Sequence, residues 1–229
     1  MPNDSTVSFP VGLEEGPRGA TRVHSLSVPG CVAEGATRDE ALAAFPIALA
    51  EWLELPGMAA VNEDQELEIA VDEWIRTDAN VAAGESDVTF DADLRPLTDA
   101  EIDAQLRTLG DLRGRLLRPL RRTPDARLDE LHSGEWTLRR VTEELARAQW
   151  WLLTRLGASP LAEVPERTIG RLDTAMALVV QHFTALPAGE RARVLELDGE
   201  SWTPRKVLRR LLWLEWSLGR SALRALPPE

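Results

Sequence analysis

The spacing of hydrophobic residues changes near Leu97 and divides the chain into two parts. Before Leu97, apolar and polar residues alternate in short runs at 6–11, 21–26, 67–71 and 87–94. A period of two is typical of β-strands with one buried face. After Leu97, apolar residues recur every three or four positions, as in helices that bury one face. The pattern predicts an α+β domain over residues 1–97 and an all-α domain over residues 98–229.

One helix interrupts the strands of the first domain. Thr37 is a good N-cap, and Glu40 stands three residues later, as in a capping box. Apolar residues then follow at helical spacing as far as Leu53. Pro46 lies inside this pattern and should start, kink or shorten the helix there. We therefore expect a small antiparallel sheet with one helix.

The second domain contains four long segments of helical period. They cover about 98–120, 137–156, 165–186 and 203–226, and each begins at a plausible cap or an acidic first turn. Four helices of similar length joined by shorter connections predict a four-helix bundle.

The second domain also repeats itself after 66 residues. The shift aligns Trp136-Thr137 with Trp202-Thr203 and Trp150 with Trp216. Each copy reads as helix, loop, Trp-Thr cap and helix. A helical hairpin cannot bury its apolar face alone, so we expect the two copies to pack together.

The charges are distributed unevenly along the 229 residues. The whole chain has 38 acidic and 26 basic side chains, a net charge of −12, and the excess of acid lies before residue 98. A net acidic chain disfavours nucleic acid as a partner, because binding requires neutralised phosphates. Arg205, Arg209 and Arg210 are part of a basic belt on the fourth helix, which is either a solvated face or a surface that docks the acidic domain.

Other features narrow the class of protein. Cys31 is the single cysteine, which excludes an intramolecular disulfide and suits a reducing compartment. The first residues do not resemble a signal peptide, and no apolar run is long enough to span a bilayer. The expected location is therefore the cytoplasm, without a membrane partner. The common phosphate-binding, zinc-protease and serine-hydrolase motifs are missing from the sequence.

Residues 98–229 resemble the DinB-like four-helix bundle family. The resemblance rests on Gly134-Glu-Trp-Thr-Leu-Arg-Arg-Val-Thr-Glu-Glu-Leu-Ala and on Trp202-Thr-Pro-Arg-Lys-Val-Leu-Arg-Arg-Leu-Leu-Trp-Leu-Glu. It implies a divalent metal held by three histidines on two helices, and in some members a metal-dependent thiol transferase. It also implies dimerisation through bundle helices.

The chain departs from that family at all three ligand positions. They are occupied by Glu144, Leu214 and Leu218. A leucine cannot bind a metal, and one carboxylate is inadequate for a transition metal. The histidines of the chain, His24, His132 and His182, stand elsewhere. We therefore expect no metal and no cofactor.

Four residues are candidates for a ligand site in the bundle. Glu215 lies among leucines, so it is either a structural carboxylate paired with an arginine or a ligand-facing group. His182 is either a hydrogen-bonded core residue or part of the same interior. Glu144 either pairs on the surface or faces the site, and Trp213 is an aromatic candidate on the fourth helix. Several tryptophans of the bundle, if exposed together, would mark an interface for a homodimer.

The first domain resembles the HicB-like antitoxin fold over roughly residues 5–75. The resemblance rests on Val28-Pro-Gly-Cys-Val-Ala-Glu-Gly-Ala-Thr-Arg-Asp-Glu-Ala-Leu-Ala-Ala. It implies a strand–strand–helix core and, in the family, a toxin RNase partner. The DNA-binding segment of the family is replaced here by the predicted bundle, so we expect a docking or binding module. Cys31 is expected to be a small buried thiol.

Three functions follow as hypotheses. The leading one is a non-enzymatic protein that binds a small molecule or another protein and has lost the metal site of the family. The second is a thiol-transferase-like enzyme with a relocated metal site at Glu144, His182 and Glu215. The third is an antitoxin-like regulatory partner.

Overall fold

A computed structural model describes residues 7–55, 67–132, 136–159 and 163–226, with the backbone alone at 131 and 132. The motif residues Gly134 and Glu135 lie outside these ranges. The chain divides into two compact units. The first comprises Met1–Arg95 with Asp198–Glu200, and the second comprises Pro96–Leu197 with Ser201–Glu229.

The first unit is built on a four-stranded mixed sheet. Its strands are β1 (Val7–Glu15), β2 (Thr21–Ser25), β3 (Val32–Gly35) and β4 (Leu67–Arg76), in the order β3-β2-β1-β4. The first three strands pair antiparallel, but β4 runs parallel to β1. The expectation of a purely antiparallel sheet is therefore wrong for β4. Its connection from β3 contains a helix, which allows parallel pairing, and alternation alone does not report strand direction.

Helix α1 (Arg38–Leu53) covers one face of this sheet. Thr37 caps it as predicted, since its side-chain oxygen accepts a hydrogen bond from the Glu40 amide at 3.3 Å. The Glu40 carboxylate accepts one from the Ala36 amide at 3.0 Å. Pro46 does not end the helix, contrary to one expectation; it lies on the exposed side, while Phe45 and Trp52 are buried.

The segment after β4 covers the other face of the sheet. It contains two short 3-10 turns, Val81–Ala83 and Asp91–Leu94, so the strand predicted at 87–94 is wrong. The segment alternates because it buries Val88 and Phe90 without pairing to a strand. Phe90 lies over Gly12, where an added Cβ would be 2.4 Å from the ring. A glycine is therefore required beneath this ring.

Four helices form the second unit: α2 (Asp99–Leu120), α3 (Leu138–Thr154), α4 (Thr168–Thr184) and α5 (Pro204–Ala225). All four overlap the predicted segments, and Thr98 caps α2 with a complete capping box. Helix α3 packs against α4 and α5, and α2 packs against the same two helices. Within the described ranges, no helix combines the length and apolarity needed to cross a bilayer.

A short β-hairpin precedes α3 and another precedes α5, which gives the 66-residue repeat a structural form. The first pairs β5 (Leu131–His132) with β6 (Trp136–Thr137), and the second pairs β7 (Leu195–Leu197) with β8 (Glu200–Trp202). In both copies the threonine caps the following helix, with its oxygen 3.1 Å from the third helical amide. The repeat therefore starts α3 and α5 in the same way.

Candidate functional site

A buried ionic centre joins the helices of the second unit. Arg113 of α2 donates two parallel hydrogen bonds to the carboxylate of Glu215 on α5, at 2.7 and 2.9 Å. Gln149 of α3 accepts from Arg113 at 2.9 Å and donates to Glu215 at 2.8 Å. The carbonyl of Leu172 on α4 accepts a further bond from Arg113. One guanidinium thus ties together all four helices.

The ionic centre is closed to solvent. Arg113 and Glu215 are 3% and 2% exposed, and Gln149 is fully buried. Both oxygens of Glu215 are occupied by bonds to Arg113 or Gln149. A buried charge is tolerated when its partner and hydrogen bonds are complete. Glu215 is therefore paired with an arginine, which is the geometry of one of the two alternatives that the sequence left open.

The repeat explains the geometry of the ionic centre. Gln149 and Glu215 are 66 residues apart, so they occupy equivalent positions on α3 and α5. Helices that start alike and pack together bring equivalent positions face to face. A neutral amide at one position and a carboxylate at the other allow one arginine to satisfy both.

The positions that the DinB-like resemblance assigns to metal ligands have other roles in the structure. Leu214 and Leu218 pack against the apolar core of the helical unit. Glu144 is bound by the guanidinium of Arg147, with one nitrogen–oxygen distance of 2.8 Å. The described residues include no group of three His, Cys, Asp or Glu side chains able to hold a metal. The relocated set of Glu144, His182 and Glu215 is therefore not brought together.

A cavity of about 410 Å³ lies elsewhere in the same unit. It is formed by the last turns of α3 and α4 and by the chain that follows each helix. Its volume is in the range of small-molecule sites. The described lining residues are Trp150, Leu153, Thr154, Ala158, Ser159, Leu178, Gln181, His182, Ala185, Leu186 and Pro187. None of them carries a permanent charge.

Two ring nitrogens of the cavity lining have no hydrogen-bond partner among the described residues. They are Nε1 of Trp150 and Nε2 of His182, and both are sealed from solvent. A buried polar group without a partner costs about 1–3 kcal/mol. Burial also lowers the pKa of His182 from its ordinary value, because the protonated ring is poorly solvated. The imidazole is therefore neutral near pH 7.

The sequence candidates are distributed over different parts of the unit. His182 lines the cavity, while Glu144, Trp213 and Glu215 are not among its described lining residues. Trp150 was missed as a site residue, because its spacing indicates only core packing. Arg113 was missed as well, because it stands 102 residues from Glu215.

Two belt residues of α5 contact groups of the helical unit, and the third, Arg209, is buried. Arg205 donates to the Glu101 carboxylate at 2.8 and 2.9 Å and holds the pKa of Glu101 down, at about 2. Arg209 is 5% exposed. The guanidinium of Arg210 lies 5.0 Å from the ring centre of Trp202. Docking of the first domain by these arginines stays a prediction.

The first unit has a buried polar cluster of its own. His24 and Glu14 share a hydrogen bond of 2.9 Å, and Arg22 lies 3.9 Å from the same carboxylate. Burial raises the pKa of Glu14, but the bond and charge of His24, with the charge of Arg22, outweigh it and the net pKa is lowered. Burial raises the pKa of Cys31 to about 12, which agrees with the expected inert thiol.

No protein-family model, curated protein or solved structure matches the chain.

Proposed function

We propose that this chain is a small-molecule-binding protein whose site is the cavity at the ends of α3 and α4. The observation that carries the proposal is a 410 Å³ cavity with an uncharged described lining, in which two ring nitrogens lack partners among the described residues. An apolar pocket with a few unsatisfied polar groups is the usual form of a ligand site. Among the sequence candidates, His182 belongs to this site.

We interpret the helical unit as a DinB-like bundle that has lost its metal. Support comes from the four packed helices, the leucines at two ligand positions and the Arg147 partner of Glu144. The buried carboxylate of Glu215 is neutralised by Arg113, so it needs no cation. A binding role is favoured over metal-dependent group transfer.

The first unit supports a HicB-like assignment in its element order. Strands β2 and β3 precede α1, which is the strand–strand–helix order of that family. In this proposal the unit is an accessory docking module, and the protein acts in the cytoplasm.

A fluorescent probe tests the binding site. N-phenyl-1-naphthylamine is an uncharged dye that brightens in apolar surroundings. We expect it to bind the full chain saturably, at one site per chain. The substitution Leu178→Trp fills the cavity and should weaken binding by about tenfold or more, as overpacking costs about 1–3 kcal/mol.

The matched control is Val180→Trp. Val180 stands two residues away on α4, is 41% exposed and is outside the described lining. It should leave the affinity within about twofold, since each tenfold change needs 1.4 kcal/mol. Thermal unfolding verifies that both variants fold. Equal affinities for the two variants, or no saturable binding at all, would reject the cavity as the site.

Metal analysis tests the loss of the metal site. After incubation with nickel or zinc and desalting, we expect far less than one metal per chain. Stoichiometric metal that is lost in Glu144→Ala would overturn this part of the proposal.

A further inference from the structure

Helices α3 and α4 run parallel, so both of them end at the α3–α4 cavity. Near the two helix starts, Arg139 of α3 donates a hydrogen bond to Thr168 of α4 at 3.0 Å. Arg171 of α4 lies 3.0 Å from the carboxylate of Glu143 on α3. The last turns of both helices line the cavity. Because the C-terminal end of a helix carries a partial negative charge, it attracts cations and repels anions.

No positive side chain of the described lining offsets these two helix ends. The lining contains no arginine, lysine, aspartate or glutamate. His182 is neutral near pH 7, because burial lowers its pKa. An anion in the described part of the cavity would therefore meet two negative helix ends and no counter-charge.

The arginines that follow the two helices have other contacts. Arg155 directly follows α3, and its guanidinium lies 4.8 Å from the ring centre of Trp151, which is outside the described lining. Arg191 follows α4 and donates to the Asp99 carboxylate at 2.5 Å, so its charge is paired. A more distant contact at 3.4 Å joins Arg191 to the carbonyl of Leu186.

The shape of the lining places the polar group of a ligand at the rim. Leu153 and Leu178 belong to the apolar walls, where an ion of either sign would lose its hydration. Gln181 also lines the cavity but is exposed to solvent. A ligand with an apolar body inside the cavity can therefore keep its polar group hydrated near Gln181.

We propose that the cavity selects apolar ligands by the sign of their charge: it accepts a neutral or cationic polar group and excludes carboxylates. This inference rests on the proposed binding function and adds the ligand class. The parallel ends of α3 and α4 supply the selectivity, while the apolar walls supply most of the affinity.

Three naphthalenes of nearly the same shape test the proposal by competing with bound N-phenyl-1-naphthylamine. They are 2-naphthamide, which is neutral, 2-naphthamidine, which is a cation, and 2-naphthoate, which is an anion. We expect both the amide and the amidine to bind more tightly than the naphthoate. The amidine should bind about three- to tenfold more tightly than the naphthoate, as the combined effect of two helix ends provides.

A charge placed in the lining should cancel this preference. Gln181→Lys introduces a cation at the rim, so the amidine and the naphthoate should bind equally or the naphthoate more tightly. Gln181→Met is an uncharged substitution of similar length and should keep the preference. Val180→Lys places the same charge on the neighbouring residue, which is outside the described lining, and should also keep it. The ratio of the two affinities is compared, so a general change in cavity shape does not mimic the result.

The outcomes separate the two proposals. If the dye does not bind saturably, the binding function fails. If the dye binds and none of the three compounds displaces it, or the naphthoate binds as tightly as the amidine, the ligand class fails while the binding function stands. An unchanged preference in Gln181→Lys, or an equal loss of preference in Val180→Lys, would also overturn the ligand class.

Discussion

Two polar regions lie side by side in the helical unit, and neighbouring residues of α3 contribute to both. Gln149 joins the buried ionic centre, while Trp150, the next residue, lines the cavity. The polar atoms that Arg113, Gln149 and Glu215 bring together satisfy one another. In the cavity, by contrast, the two ring nitrogens have no partner among the described residues.

The difference indicates different roles for two groups of buried polar residues. Where every donor meets an acceptor, a ligand has nothing to add and removal of one partner is costly. In the cavity lining, the two ring nitrogens have lost their hydrogen bonds to water without replacement among the described residues. The ionic centre is therefore sensitive to the removal of one partner, and the cavity is the part of the unit that we propose as the binding site.

The largest expected effect comes from breaking the ionic centre. Glu215→Leu leaves Arg113 charged and buried, and should lower the free energy of unfolding by about 3–5 kcal/mol. The triple variant Arg113→Met, Gln149→Leu, Glu215→Leu should regain most of this, since no unpaired charge remains. Urea unfolding measures both.

An exposed ion pair provides the control for that experiment. Arg121 and Asp173 are 3.5 Å apart, with side chains about half exposed. Arg121→Met should change stability by less than about 1 kcal/mol. If Glu215→Leu lowers the free energy of unfolding as little as Arg121→Met does, the comparison is contradicted.

The helix caps should give an intermediate effect. Thr137→Ala and Thr203→Ala each remove one hydrogen bond to the first turn of α3 or α5, so each should cost about 1 kcal/mol. Thr184→Ala, at the exposed last residue of α4, is the matched substitution away from a helix start. Similar losses at both caps would confirm that the two repeats start α3 and α5 in the same way. Unchanged stability at either cap would contradict this.

Removal of an unpaired group from the cavity lining should change the free energy of unfolding in the opposite direction to the variant of the ionic centre. His182→Phe deletes an unsatisfied nitrogen and should be neutral or stabilise the protein by up to about 1 kcal/mol. The measurement is again urea unfolding. A loss of several kcal/mol would indicate that His182 is a satisfied core residue, and the comparison would fail.

The smallest effect concerns pH. The pKa of His182 is lowered in the folded state, so the unfolded chain binds a proton more readily as pH falls below about 6.5. Stability is therefore lost as pH falls from that value towards the folded pKa. The His182→Phe variant should lose less than the unaltered chain between pH 7 and pH 5. Identical pH profiles would show that burial does not depress this pKa.

Local features were well predicted from the sequence. The caps at Thr37, Thr98, Thr137 and Thr203 depend on residues three positions away, so the helix starts are visible in short windows. The change of period at Leu97 falls two residues from the division between the units. The repeat also aligned Trp136-Thr137 with Trp202-Thr203, which stand at equivalent places between a hairpin and a helix.

Features that depend on distant partners were predicted less well. The parallel pairing of β4 and the unpaired segment at 87–94 have the same alternation as other strands. For Glu215 the sequence indicated an arginine partner without identifying Arg113. Trp136 and Trp202 are equivalent in the repeat, yet they are 43% and 1% exposed.

The sequence by itself determined the helices, their caps and the repeat, because these depend on residue type and short spacing. Only the tertiary structure decided which buried polar groups are satisfied. Hydrogen bonds need atoms within about 3 Å of each other, and that proximity arises between residues far apart in the chain. For the same reason, Gln149 became part of a closed centre while Trp150, one residue later, lies beside a cavity with no acceptor for its N–H among the described residues.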